Sequence, residues 1–162
     1  MTPAAAVVDA LRSAHATVAT AESLTGGLVC ASLVSVSGAS DVVRGGVVAY
    51  AADVKTAVLG VDAEVVAVQG TVAADVALAM AVGVRERLGA TYGLATTGVA
   101  GPGPSEGKPA GTVHIAIAGP HGSWSRRLDL TGDRDMIRSQ TVDELLSWLV
   151  ARLGEESRSD RG

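Results

Sequence analysis

The sequence predicts an α/β domain, a three-layer α/β/α sandwich around a mixed β-sheet, and three observations carry that prediction. Strand-length apolar stretches alternate with segments of helical period along the whole chain. Late in the sequence two strand-like segments are separated by one short turn and must pair antiparallel. The core has no Phe and only two Trp and two Tyr, so Val, Ala and Leu must fill it, as suits strands buried between helices. At 162 residues the chain fits one domain, set at residues 1–154, with a polar tail 155–162 expected to fray.

The elements follow in order. Thr2 before Pro3 marks a helix start, because the hydroxyl can cap and proline is tolerated at the first helical position; that helix runs to about Ala14. Ala16 to Ala21 reads as a short strand, and Thr25-Gly26-Gly27 opens a second helix through about Val36. After the break at Ser37-Gly38, Gly46 to Ala51 is a strand whose end carries Tyr50. A short helix follows over Asp53 to Leu59. Thr71 caps a long helix with Val72, Val76, Met80, Val84 and Leu88 at four-residue spacing. Tyr92 to Thr97 is a buried strand that empties into the irregular loop Gly98 to Ala110. Thr112 to Ala118 and Ser123 to Leu130 form a hairpin across Pro120-His121-Gly122. Val142, Leu145, Leu146, Leu149 and Leu153 make the apolar stripe of the last helix.

Composition narrows the function. The formal charge of −4 and a pI near 5.3 leave no electrostatic footprint for nucleic acid, so a small molecule is the expected partner. Cys30 is the single cysteine, which excludes an internal disulfide and fits a reducing compartment. No secretory signal is read at the N-terminus, and a cytoplasmic location is expected. The uncharged stretches Ser23 to Ser40 and Leu88 to Ser105 are studded with Gly, Ser, Thr and Pro, which argues against a membrane span.

The glycine loops do not make a nucleotide motif. Gly98, Gly101 and Gly103 lack the GxGxxG spacing, and Gly107-Lys108 is followed by Pro109 rather than Ser or Thr. Gly26 and Gly27 at a helix start suit an oxyanion or phosphate, or simply close packing. Ser23 stands between strand and helix, where nucleophiles are held and where helix caps also sit. Its base is sought among the lysines, Lys55 and Lys108, because the three histidines fall on a helix end, a strand and a hairpin turn. Lys55 serves only if burial drops its pKa toward neutrality; otherwise it is an exposed lysine on a short helix. No carboxylate or histidine cluster suits a metal, and none is expected. Asp133, Arg134, Asp135 and Arg138 read as a solvated mixed-charge face, or, with Arg134 and Arg138 one helical turn apart, as a pair that can hold a phosphate. Ser23 to Gly27, Tyr50 to Lys55 and Thr97 to Gly103 all fall just past strand ends, where α/β sheets bind ligands.

These residues resemble a known family. Thr20-Ala-Glu-Ser-Leu-Thr-Gly-Gly27, Val48-Ala-Tyr50 with Lys55, Thr96-Thr-Gly-Val-Ala-Gly-Pro-Gly103 and Lys108-Pro-Ala-Gly-Thr112 are similar to the CinA C-terminal domain family, in order from about Val7 to Leu153. The resemblance implies an amidase for nicotinamide mononucleotide with Ser23 as nucleophile, Lys55 as base, and Tyr50 and Thr97 positioning the pair. Thr25, Gly26, Gly27, Gly98, Ala100, Gly101, Arg134 and Arg138 would meet the substrate. No cofactor is implied. The expected partner is a nucleotide, with no nucleic acid and no membrane; oligomeric state is open, a homodimer being one option. Leu24, Ala73, Pro104 and Leu130 depart from residues usual in the family. The family also occurs fused behind a larger N-terminal domain, and the stand-alone form is expected here. The rival reading is a regulatory module that keeps the nucleotide pocket without turnover.

Overall fold

All five residues of β1 (Val18–Glu22) are buried, as are the first six of β3 (Tyr92–Gly98), and strands buried on both faces belong in the middle of a sheet. The computed structural model describes residues 1–162. Five strands lie in the order β2-β1-β3-β4-β5, with β2 at Val43–Val48, β4 at Thr112–Gly119 and β5 at Gly122–Asp129. β1 runs parallel to β2 and β3, and the β4–β5 hairpin continues the sheet antiparallel. The mixed sheet of the sequence prediction is therefore the sheet found.

Its two faces bury different residues. On one, Val18, Leu94, Val113, Ile115 and Ile117 pack against α1 (Pro3–Ser13), α2 (Leu28–Val34) and the last helix, which spans Arg134–Ser159. On the other, Ala19, Ala21, Ala95, Ala116 and Ala118 meet the long helix Ala74–Leu88, through Val76, Met80 and Val84. Small residues let that helix sit close. A Cβ on Gly93 would stand 2.1 Å from the Ala81 carbonyl oxygen, so Gly93→Val would force helix and sheet apart.

Several boundaries differ from the sequence prediction. β2 begins three residues early, at Val43, and stops at Val48, so Tyr50 follows the strand rather than ending it. α2 opens at Leu28, because Gly26 and Gly27 take positive φ of 57° and 104° and form a turn before the helix. After α3 (Ala52–Leu59) comes an unforeseen helix, α4, at Ala63–Gln69, capped by Asp62, whose carboxylate accepts from the Glu64 N–H at 2.8 Å. The long helix Ala74–Leu88 is thus α5 and the last one α6. α6 runs through Glu155, where the polar tail was expected to fray, and on to Ser159. Its final turns are tied down: Arg152 pairs with Glu155 and Glu156, and the Tyr92 hydroxyl donates to Glu156.

Candidate active site

Alternation along β1 sends Glu22 toward α2 and the next residue, Ser23, toward α3, and the neighbouring strand end does the same for Thr96 and Thr97. Lys55, on α3, is 1% exposed. Its Nζ lies 2.9 Å from Ser23 Oγ, 2.8 Å from the Ala49 carbonyl oxygen and 3.0 Å from that of Tyr50. Burial drives its pKa from the ordinary 10.5 to about 8, against the pull of the Glu106 carboxylate, which favours the ammonium. As the ammonium, Lys55 donates to all three oxygens; as the neutral amine it keeps its two N–H bonds on the Ala49 and Tyr50 carbonyls, which can only accept, and turns its lone pair to the Ser23 hydroxyl.

The turn after Ser23 is braced on all sides. Ser23 N–H donates to the Thr96 carbonyl at 3.0 Å and reaches Thr96 Oγ1 at 3.3 Å, while Gly26 N–H donates back to the Ser23 carbonyl at 3.1 Å. Thr25 is fully buried, its hydroxyl 2.8 Å from that of Thr96, so it supports the turn rather than facing a ligand. Arg138 donates through Nε to the Leu24 carbonyl at 2.9 Å and through a terminal nitrogen to that of Thr25 at 3.3 Å. It holds the turn from behind, which corrects its expected role as a phosphate ligand. The helix N–H groups beyond Gly26 and Gly27 are not open to a ligand. The buried Glu22 carboxylate already occupies that helix end, accepting from Val29 N–H at 2.8 Å and Cys30 N–H at 3.0 Å, as a side chain carrying negative charge should. By contrast the N–H groups of Leu24, Thr25 and Gly27 find no partner within the fold.

Ser23 opens into a cavity of about 370 Å³, lined also by Leu24, Tyr50, Thr71, Val72, the segment Gly98–Ser105 and Arg134. Gly98, Ala100 and Gly101 are therefore at the cavity as expected. Arg134 is held across its rim, donating to the Gly101 carbonyl at 2.6 Å and to the Tyr50 hydroxyl at 3.4 Å. Tyr50 is 64% exposed, and its hydroxyl faces Arg134; only its main-chain carbonyl touches Lys55. Thr97 does not reach the pair at all. Its hydroxyl donates to the Thr71 carbonyl at 2.7 Å, because alternation points it to the α5 side, and Thr96 is the threonine that contacts Ser23.

The sequence and the fold that carry this site are similar to those of known proteins. The CinA C-terminal domain family matches residues 1–153. The chain belongs to that family. A CinA-like protein of Frankia casuarinae is 54% identical over 147 residues, 91% of this chain and 34% of the relative. A CinA-like protein of Synechococcus is 46% identical over 153 residues, 93% and 37% of the two. The chain spans about a third of the length of these relatives. Among solved structures, a competence-damaged protein (CinA) superfamily protein of Klebsiella pneumoniae superposes with a TM-score of 0.92 at 32% identity, covering 94% of this chain and 96% of that one. The competence/damage inducible protein of Agrobacterium tumefaciens gives 0.89 at 37% identity, covering 94% and 93%. No helix of the CinA domain is long and apolar enough to cross a membrane.

Two residues of this CinA domain that the sequence did not single out, Glu22 and Thr96, turn out to frame Ser23. A signal for Glu22 existed: an acidic residue six positions before a helix with no Ser, Thr or Asp at its cap. Glu22→Gln is expected to cost about 2 kcal/mol, since an amide can accept from only one of the two helix N–H groups and turns a donor toward the other. Thermal melts should fall by roughly 5 °C; an unchanged melting temperature would show that the carboxylate is dispensable.

Proposed function

We propose that this CinA domain is an amidohydrolase that converts nicotinamide mononucleotide and water to nicotinate mononucleotide and ammonia. The observation that carries the reading is the Lys55 Nζ held 2.9 Å from Ser23 Oγ with its other bonds on two carbonyls. Neutral Lys55 takes the Ser23 proton as Oγ attacks the carboxamide carbon, then returns it to the departing nitrogen, which leaves as ammonia. Water, deprotonated by the same amine, hydrolyses the acyl-serine and restores Ser23. The free Leu24 N–H, next to the nucleophile, is the natural donor to the oxyanion. Arg134 on the rim supplies the positive charge for the ribose phosphate.

The direct test is ammonia release from nicotinamide mononucleotide, set beside other carboxamide nucleotides, with and without EDTA. Release that survives the chelator supports the metal-free serine mechanism. Thermal stabilisation by the nucleotide without ammonia release would make the chain a binding module instead.

The two arginines separate in the kinetics. Arg134→Met should raise KM about tenfold with kcat little changed, the loss expected for one charge-assisted bond to phosphate. Arg138→Met should instead lower kcat, because the turn carrying Ser23 loses its brace. Equal KM effects from both would show that Arg138 reaches the substrate after all.

A further inference from the structure

Ser23 and Lys55 are fixed by different parts of the chain. The amine is held by the Ala49 and Tyr50 carbonyls, while the main chain on both sides of the Ser23 side chain is held by one residue of β3. Thr96 is the register partner of Glu22, the last residue of β1. One step past that pair its carbonyl accepts the Ser23 N–H at 3.0 Å. Its hydroxyl oxygen lies 3.3 Å from the same nitrogen and 2.8 Å from Thr25 Oγ1, two residues further along the turn. Both threonines are fully buried, so no water competes for the bond between their hydroxyls. Neither of them lines the cavity.

We propose that Thr96, locked by Thr25, is a positioning residue of the nucleophile: the hydroxyl pair fastens the turn to the end of β3 and sets the direction in which Ser23 carries Oγ to the Lys55 amine. This role rests on the Ser23–Lys55 reading above. Attack on a carbonyl carbon and proton transfer to Nζ each demand their own alignment of Oγ, and a displacement of about 1 Å can cost up to about 100-fold in rate. Two consequences separate positioning from mere support. Because the threonines stand outside the cavity, their loss should act on kcat and leave KM alone. Because each hydroxyl is the other's side-chain partner, removing one strands the other in the interior, whereas removing both strands neither. Stability should therefore return in the double variant, and rate should not.

The test compares Thr96→Ser, Thr96→Val and the double variant Thr25→Val/Thr96→Val by ammonia release, by melting temperature and by phosphonylation of Ser23 with a fluorophosphonate, read as a mass shift. In that labelling Oγ displaces fluoride from phosphorus and its proton passes to Lys55. Thr96→Val should lower kcat and the labelling rate by at least about tenfold at unchanged KM, with a lower melting temperature. Thr96→Ser, which keeps the hydroxyl, should stay within about threefold of wild type. The double variant should melt nearer wild type and remain slow. Rate recovering together with stability overturns the proposal, as does a loss that falls on KM or a Thr96→Ser protein as slow as Thr96→Val. If wild type labels without releasing ammonia, the amidase reading alone falls and the labelling rates decide the role of Thr96. A wild type that neither labels nor releases ammonia removes the Ser23–Lys55 pair, and this role with it.

Discussion

Lys55→Met and Ser23→Ala are each expected to lower kcat/KM for nicotinamide mononucleotide by about four orders of magnitude, a loss of roughly 5.5 kcal/mol in transition-state stabilisation. The two act as one unit. Without the amine the Ser23 hydroxyl has no acceptor for its proton, and without the hydroxyl the amine has nothing to activate. The double variant should then be little slower than either single one, since what remains is binding and oxyanion stabilisation alone. Lys55→Arg should be as inactive as Lys55→Met, because guanidinium stays protonated at any usable pH. Circular dichroism and melts must accompany the rates, as Lys55 is among the largest fully buried side chains and Met is the closest apolar match to its length. A folded Lys55→Met protein with more than about a tenth of wild-type activity, a loss under about 1.4 kcal/mol, removes Lys55 as the base.

The pH dependence should be nearly as large. With Lys55 titrating near 8 in the folded chain, kcat/KM should climb about tenfold per unit below that value and level off above it, so that roughly 100-fold separates pH 6 from the plateau. Stability should move in the same direction over a different window. The folded pKa lies below the ordinary 10.5, so between about 8 and 10.5 the unfolded chain binds more protons than the folded one. Stability from this group therefore rises with pH across that window, by about 3 kcal/mol in all, and is at its lowest below pH 8. Lys55→Met should flatten that rise. An activity profile flat from pH 6 to 9 would contradict a lysine base, whatever the substitutions show.

Local chemistry made much of the fold legible. Thr2 and Pro3 open α1 as expected, with the Thr2 side chain accepting from the Ala5 N–H at 3.2 Å. The apolar stripe of α6, the buried strand from Tyr92 and the short turn of the β4–β5 hairpin are all found where residue periodicity put them. Hydroxyl-rich strand ends and scarce lysines likewise made Ser23 and Lys55 candidates, and the family resemblance chose them over a helix cap and an exposed lysine. Local periodicity missed α4, which is only seven residues long and has no fully buried residue, so no apolar stripe marks it.

What the sequence by itself determined was which groups the chain owns and on which elements they ride. Which of them meet was decided by tertiary structure. Thr96 and Thr97 are adjacent in sequence and chemically alike, yet the alternation of one strand end sends the first to Ser23 and the second to Thr71. Arg134 and Arg138 share a helix, yet one crosses the cavity rim and the other braces the turn behind it. Gly26 and Gly27 advertise a helix start open to an anion, yet the Val29 and Cys30 N–H groups beyond them are taken by Glu22 from the preceding strand. The physical reason is common to all three. A donor or acceptor is free for a ligand only if no other part of the chain satisfies it first, and that competition runs between residues up to 114 positions apart, where pattern along the sequence carries no information and packing carries all of it.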